Sequence, residues 1–305
     1  MSANPCECYT SQGFYSLPFI TYQDENNMKL HKKHLAYALA LALLPTVSMA
    51  AEDETAWNNT LKAEFFAKQA IEESNKIIEL ETPYRAEDPA IVPIKIAAKI
   101  KQTKDHYIKK ITVLVDKNPF PYVGEFEFTP ESGKAEIAMR IRVNTYSYVR
   151  AIAQMNDGKL VMDKKFVKAS GGCSAPIGTD FDEAMKRLGK MKFRLDDGAK
   201  LNEPSLVQLL ISHPNLSGMQ MDQVTRFVKP SHFIEAMKVS FDGKPVLTAK
   251  TDIAISTDPN FRFYFVPTKA GELKAEISDT SCQSPTSRKI CTKGKTYTET
   301  FKVQP

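Results

Sequence analysis

The chain lacks the short motifs that mark most exported and cytosolic enzymes. It contains no G-x-S-x-G, no H-E-x-x-H, no glycine-rich phosphate loop and no C-x-x-C. A serine hydrolase, a zinc protease, a nucleotide enzyme and a thioredoxin-like redox protein therefore have no positive support, and no cofactor is expected. Strong charge of one sign is also missing. Lys and Arg number 41 against 36 Asp and Glu, a net charge of +5, too mild for a nucleic-acid footprint. Clusters such as Lys99-Ile100-Lys101 and Lys164-Lys165 read as solvated strand faces. Long apolar runs are absent too, since nothing after residue 50 offers the ~20 apolar residues of a spanning helix. No membrane anchor is expected.

Met28 to Ala50 reads as a secretory signal peptide. Lys29, Lys32 and Lys33 form the basic start, Leu35 to Leu44 the short apolar run, and Ser48-Met49-Ala50 the cleavage site before Ala51. Residues 1–27 precede this signal without periodicity and are expected to be a non-native upstream extension. The protein is thus expected in the periplasm, where disulfides persist.

Cysteine is scarce, at five residues in 305. Cys6 and Cys8 fall before the cleavage site, which leaves three. Cys282 and Cys291 flank a short loop with Ser284-Pro285 inside it and form the natural disulfide, worth about 2–3 kcal/mol by chain entropy. The competing arrangement pairs Cys173 with one of them. An unpaired thiol in an exported protein is a candidate for reactivity. Cys173 follows Gly171-Gly172, a pair that makes a flexible arm able to present the sulfur outside the fold. As thiolate it is both nucleophile and leaving group, suited to receiving and releasing a sulfur-containing group.

Periodicity predicts an amphipathic helix over Ala56–Leu80, with Trp57, Leu61 and Phe65 on one face and a stop at Thr82-Pro83. The period then changes to two. Ile94/Ile96/Ala98, Ile111/Val113/Val115, Phe126/Phe128 and Ile137/Met139/Ile141/Val143 alternate with polar residues, Arg140 and Arg142 taking the other face of the last. Asn156-Asp157-Gly158 is a hairpin turn before a strand at Leu160–Val167. Residues 171–204 read as arm and linker, with a short helical stretch at Phe181–Leu188. Strands resume at Met237/Val239/Phe241, Val246/Thr248, Phe261/Phe263/Phe265, Leu273/Ala275/Ile277 and Tyr297–Val303. The pattern is mainly β: two antiparallel sandwiches, residues 51–170 with the N-terminal helix and residues 205–305. The phenylalanine stripe belongs to a sandwich interior.

Two other chemistries fit on residue type alone. His213, Met219, Met221 and His232 are ligand types that suit copper, although His213-Pro214 reads more simply as a turn and His232 as a strand start. Cys173 with His106 would make a nucleophile and base.

The stretch Tyr84-Arg85-Ala86-Glu87-Asp88-Pro89-Ala90-Ile91-Val92-Pro93-Ile94, followed later by Ala169-Ser170-Gly171-Gly172-Cys173, resembles the Y subunit of the Sox sulfur-oxidation carrier. His213 to Gly218, Ile234 to Gly243 and Ser256 to Phe265 resemble the Z subunit. The order of these motifs is similar to that of fused SoxYZ-like carriers associated with quinoprotein dehydrogenases. The resemblance implies two immunoglobulin-like sandwiches and a non-enzymatic carrier that holds sulfur intermediates covalently on Cys173. The implied partners are periplasmic sulfur-oxidation enzymes, or a quinoprotein dehydrogenase and its c-type cytochrome. In the separate Y subunit the arm ends the chain and more glycine follows. Here Ser174-Ala175-Pro176 follows, so the arm is tethered at both ends. The other reading is a docking module for a quinoprotein dehydrogenase or its cytochrome in which the thiol is incidental.

Overall fold

The computed structural model describes residues 53–176, 180–223, 225–282 and 291–304, with the backbone alone for 281, 282 and 291–293. The expected signal peptide and upstream extension lie outside the described residues. A π-helical turn, Trp57–Leu61, runs into α1, Lys62–Phe66. Eight strands follow: β1 Ile71–Glu73, β2 Ile78–Glu81, β3 Val92–Ala98, β4 Ile108–Val115, β5 Tyr122–Phe128, β6 Glu136–Ile141, β7 Ser147–Met155 and β8 Leu160–Val167. A short helix α2, Phe181–Lys186, leads to β9 Met191–Arg194, β10 Ser205–Ile211, β11 Ile234–Phe241, β12 Lys244–Thr251, β13 Asn260–Phe265, β14 Gly271–Cys282 and β15 Cys291–Val303. The mainly β sandwich expected from the alternation, immunoglobulin-like as the resemblance implied, is the observed class.

Two sheets form the layers. One has nine strands in the order β1-β8-β7-β4-β5-β12-β11-β14-β15, and the other six, β2-β3-β6-β13-β10-β9. Both cross from the first half of the chain to the second. Phe126 and Phe128 of β5 pair with Ala249 and Leu247 of β12, and Ile137 of β6 pairs with Phe263 of β13. Residues 51–305 accordingly form one compact unit with a shared core, in which the Phe126 ring lies 6.3 Å from Phe261 and Phe241 lies 5.5 Å from Phe265. The stripe Phe261/Phe263/Phe265 is interior, each ring contributing about 1.5–3 kcal/mol of burial. Edge pairing is the reason the halves merge: an unpaired strand edge exposes a row of N–H and C=O groups, and each half covers one of the other's.

The single helix expected over Ala56–Leu80 is not formed. The helix ends at Ala67, whose φ is +51°. The chain then extends as β1, parallel to β8, and β2, antiparallel to β3. Ile78 and Leu80 are fully buried at a spacing of two, so sheet pairing overrode a helical pattern that the same residues also satisfy. The linker expected at 171–204 holds two ordered elements, α2 and the edge strand β9, and the strand β10 follows directly. Among the described residues no helix is long and apolar enough to cross a membrane.

The π-helical turn packs Trp57 and Leu61 on the outer face of the nine-stranded sheet against Leu114, Ile152, Leu160 and Met162. Arg150, fully buried, stacks on the Trp57 ring at 4.4 Å and binds Asp116 through Nε and Nη2 at 2.7–3.0 Å and Glu54 through Nη2 at 2.8 Å.

Candidate functional site

Cys173 lies six residues past the end of β8, and its seat is built from backbone polar groups. Gly171, at φ +82°, turns the chain so that its N–H donates to Asn144 O at 2.8 Å. Gly172 N–H donates to Val143 O at 3.2 Å and Cys173 N–H to Asn144 Oδ1 at 3.3 Å. The Ser217 hydroxyl, from the second half, donates to Cys173 O. Ser217 is itself held by Gln220, whose Oε1 accepts the Ser217 N–H at 2.8 Å. Asn118 orders the other side: its Oδ1 accepts Asn144 N–H at 2.8 Å and its Nδ2 donates to Arg142 O at 2.9 Å.

The thiol therefore does not project from the fold. Cys173 is 2% exposed, and Gly172 is used for close packing where a free arm was expected. A Cβ added at Gly172 would strike Pro89 O and come within 2.6 Å of Val143 O, whereas one at Gly171 meets nothing within 4 Å. Burial pushes the Cys173 thiol up to about 11, against the opposing pull of the Arg142 guanidinium. In this docked state the thiol is protonated at neutral pH and a poor nucleophile.

A Gly172→Ala variant is accordingly expected to unseat the segment. Iodoacetamide should then label Cys173 at least about tenfold faster than in the wild type, because an opening of some 1.4 kcal/mol already gives that factor. Gly171→Ala, strained by its positive φ but free of contact, should label more slowly than Gly172→Ala. Equal rates in the two variants would contradict the packed seat.

Arg142 was expected on the polar face of its strand. It is 1% exposed, because the second half covers that face. Its Nη1 donates to Ile253 O at 3.0 Å and to Ile255 O, and its Nη2 to Thr257 Oγ1 at 2.9 Å. Burial lowers its pKa to about 10, with Cys173 acting in the other direction.

The structure brings His213 and His232 together, with ring centroids 4.7 Å apart, and adds a partner that sequence reading missed, Asp279. Asp279 Oδ2 lies 2.9 Å from His232 Nε2 and 3.4 Å from His213 Nε2 and accepts from the Tyr297 hydroxyl at 3.3 Å, while Oδ1 accepts Lys295 N–H at 2.6 Å. Burial pushes the Asp279 carboxyl up, but the hydrogen bonds from His213 and His232 outweigh it and hold the pKa well below the usual carboxylate range. His213 Nδ1 accepts Asn215 N–H at 2.9 Å. The ring proton of neutral His213 thus resides on Nε2, the atom a metal would need, and burial lowers the His213 pKa, favouring that neutral form. Met219 packs with Phe233 and Ile253, and Met221 is exposed. The arrangement is a hydrogen-bonded His-Asp-His cluster, and the two methionines of the copper set lie outside it.

The Cys173–His106 pair is not brought together. His106 is exposed, and the neighbouring Tyr107 N–H bonds Asn156 Oδ1 at 3.1 Å, beside the turn that starts β8. Cys173 follows the far end of that eight-residue strand, roughly 25 Å away at the rise of a strand. Cys282 stands directly opposite Cys291 in the backbone register of β14 and β15. Their side chains lie outside the described residues.

Asn144 and Ser217 were not legible as site residues. Arg142, one guanidinium between two apolar residues, Ile141 and Val143, carried the available signal.

Fold and site define a merged pair of immunoglobulin-like halves that clasp one thiol between segments of both. Residues 62–173 match the family model described as "Sulfur oxidation protein SoxY", and residues 192–289 match "Sulphur oxidation protein SoxZ". The first match ends on Cys173. The chain belongs to the fused SoxYZ-like proteins, with a SoxY and a SoxZ domain in one polypeptide. Among solved structures it is similar to the sulfur carrier protein SoxY from Chlorobium limicola f thiosulfatophilum, at 27% identity over 35% of this chain and 87% of that one, with a TM-score of 0.30. A superoxide reductase (neelaredoxin) from Ignicoccus hospitalis matches at 15% identity over 32% of this chain and 93% of that one, with a TM-score of 0.29. A search of curated proteins finds no match.

Proposed function

We propose that this sulfur-oxidation carrier holds its cargo covalently on Cys173, in the periplasm, and does no chemistry alone. The observation that carries the reading is the seat of Cys173: the thiol closes the SoxY-matching segment and is held by groups from both halves. Loading proceeds by exchange. The Cys173 thiolate attacks the sulfur–sulfur bond of a donor, a new bond forms to Cys173, and the donor's second sulfur leaves as thiolate; delivery is the reverse, with no net electrons. The raised pKa assigns a resting role to the docked state, and exchange needs the hydrogen bonds of Gly171, Gly172 and Cys173 to open. Partner enzymes of sulfur oxidation, or a quinoprotein dehydrogenase with its c-type cytochrome, would receive the group.

The burial of Cys173 favours one other reading, a docking module with an incidental thiol. Peptide mass spectrometry of the protein from its native source, without reductant, separates the two. The carrier reading expects a reductant-labile mass increment on Cys173, with Cys282 and Cys291 linked to each other. An unmodified Cys173, or one in an intramolecular disulfide, would leave the docking module.

A further inference from the structure

Arg142 is a buried cation without an anion. Among the described residues no carboxylate is within ion-pair distance of it; the acceptors of its Nη groups are two carbonyls and a hydroxyl, and its buried Nε has no hydrogen-bond partner at all. Buried guanidinium groups are ordinarily paired, since desolvating a charge is expensive and an unmade hydrogen bond adds to the expense. The contrast within this chain is plain: the other fully buried arginine, Arg150, binds two carboxylates. The backbone that carries Arg142 also seats the thiol. Gly172 donates to Val143 O and Cys173 to the Asn144 side chain, the two residues that follow Arg142. From the opposite side, Thr257, which accepts from Arg142, donates to Pro214 O at 3.0 Å, and Asn215 Nδ2, two residues before the Ser217 that holds Cys173 O, donates to Ile255 O at 2.7 Å. The guanidinium opposes the burial-driven rise of the Cys173 pKa, and an ionised Cys173 would in turn favour the charged guanidinium.

We propose that Arg142 is the anion-binding residue for the group on Cys173: its unused Nε–H and its charge hold the terminal sulfonate of an S-thiosulfonate adduct, selecting anionic oxidised-sulfur cargo over neutral groups of similar size. The inference rests on the carrier reading for its biological meaning, but its test does not. Planar guanidinium donors suit oxyanions, and the complement of a buried unpaired cation is an anion delivered with the ligand.

The full chain is loaded in vitro in two ways. Tetrathionate reacts as Cys–S⁻ + S4O6²⁻ → Cys–S–S–SO3⁻ + S2O3²⁻, giving the anionic adduct and releasing thiosulfate. Methyl methanethiosulfonate gives the neutral Cys–S–S–CH3 and releases methanesulfinate. Modification of Cys173 is verified by peptide mass, and Cys173→Ala, treated identically, corrects for the other cysteines. In the wild type the thiosulfonate form should unfold about 3 °C or more above the methylthio form. That gap should vanish in Arg142→Gln and shrink in Arg142→Lys, which keeps the charge but loses the Nε–H. Equal midpoints in the wild type, or a gap that survives in Arg142→Gln, would overturn the assignment. Should Arg142→Gln fail to fold, Arg142→Lys decides: an undiminished gap there overturns it as well. A wild-type gap together with an unmodified Cys173 in native protein would reject carriage and leave the anion site standing. The converse would reject Arg142 alone.

Discussion

A Cys173→Ala variant is expected to remain folded and to bind its partners while carrying no sulfur. Flux through a reconstituted sulfur-oxidation system should drop to the level seen without the carrier, because the chain offers no second described free cysteine to take the group. Alanine is the better probe than serine. The seat is buried, and a serine hydroxyl without a partner would cost about 1–3 kcal/mol, confusing loss of carriage with loss of the fold. The melting midpoint of Cys173→Ala should lie close to that of the wild type, and the docked segment should keep its hydrogen bonds, which are all made by backbone groups of residues 171–173. Unchanged flux would make the thiol incidental and the docking module the better account.

The largest effect on stability is expected at Asp116. Removing this carboxylate in Asp116→Ala leaves Arg150 buried with a single remaining anion, Glu54, and should destabilise the protein by about 3–5 kcal/mol in urea unfolding. Replacing both partners by apolar residues, Arg150→Met with Asp116→Leu, should recover most of the loss, since the penalty comes from the orphaned charge more than from the missing bond. A change below about 1 kcal/mol in Asp116→Ala would mean that the guanidinium finds water or another partner. The effect should also reach the thiol. Asp116 begins the turn that carries Asn118, and Asn118 orders Asn144, the acceptor for the Cys173 N–H. Faster alkylation of Cys173 in Asp116→Ala would follow from that connection.

The edges of both sheets explain how the carrier differs from two sandwiches on a string. Strand alternation over β3 to β6, β8 and β11 to β15 was readable because one face of each strand meets a core, which imposes a period of two, whereas β7 is buried on both faces and shows no such period. The pairing of β5 with β12 and of β6 with β13 was not, because hydrogen bonds along a strand edge are made by backbone groups common to every residue. Ile71 to Leu80 failed for a related reason. Its apolar residues satisfy a helical and an extended period alike, and only the neighbours β8 and β3 select between them.

By itself the sequence determined the sandwich class, the alternating core, the turn at Asn156-Asp157-Gly158 and the identity of the one thiol worth asking about, because each rests on local spacing or on a rare residue type. Tertiary structure decided the rest. It placed Cys173 under cover, turned Gly172 from a hinge residue into a packing requirement, paired His213 and His232 with Asp279, and buried Arg142 without a counter-charge. These outcomes depend on which distant segments a side chain meets. Burial, unpaired charge and a shifted pKa are properties of a surrounding, and the surroundings of Cys173 and Arg142 are drawn from both halves of the chain.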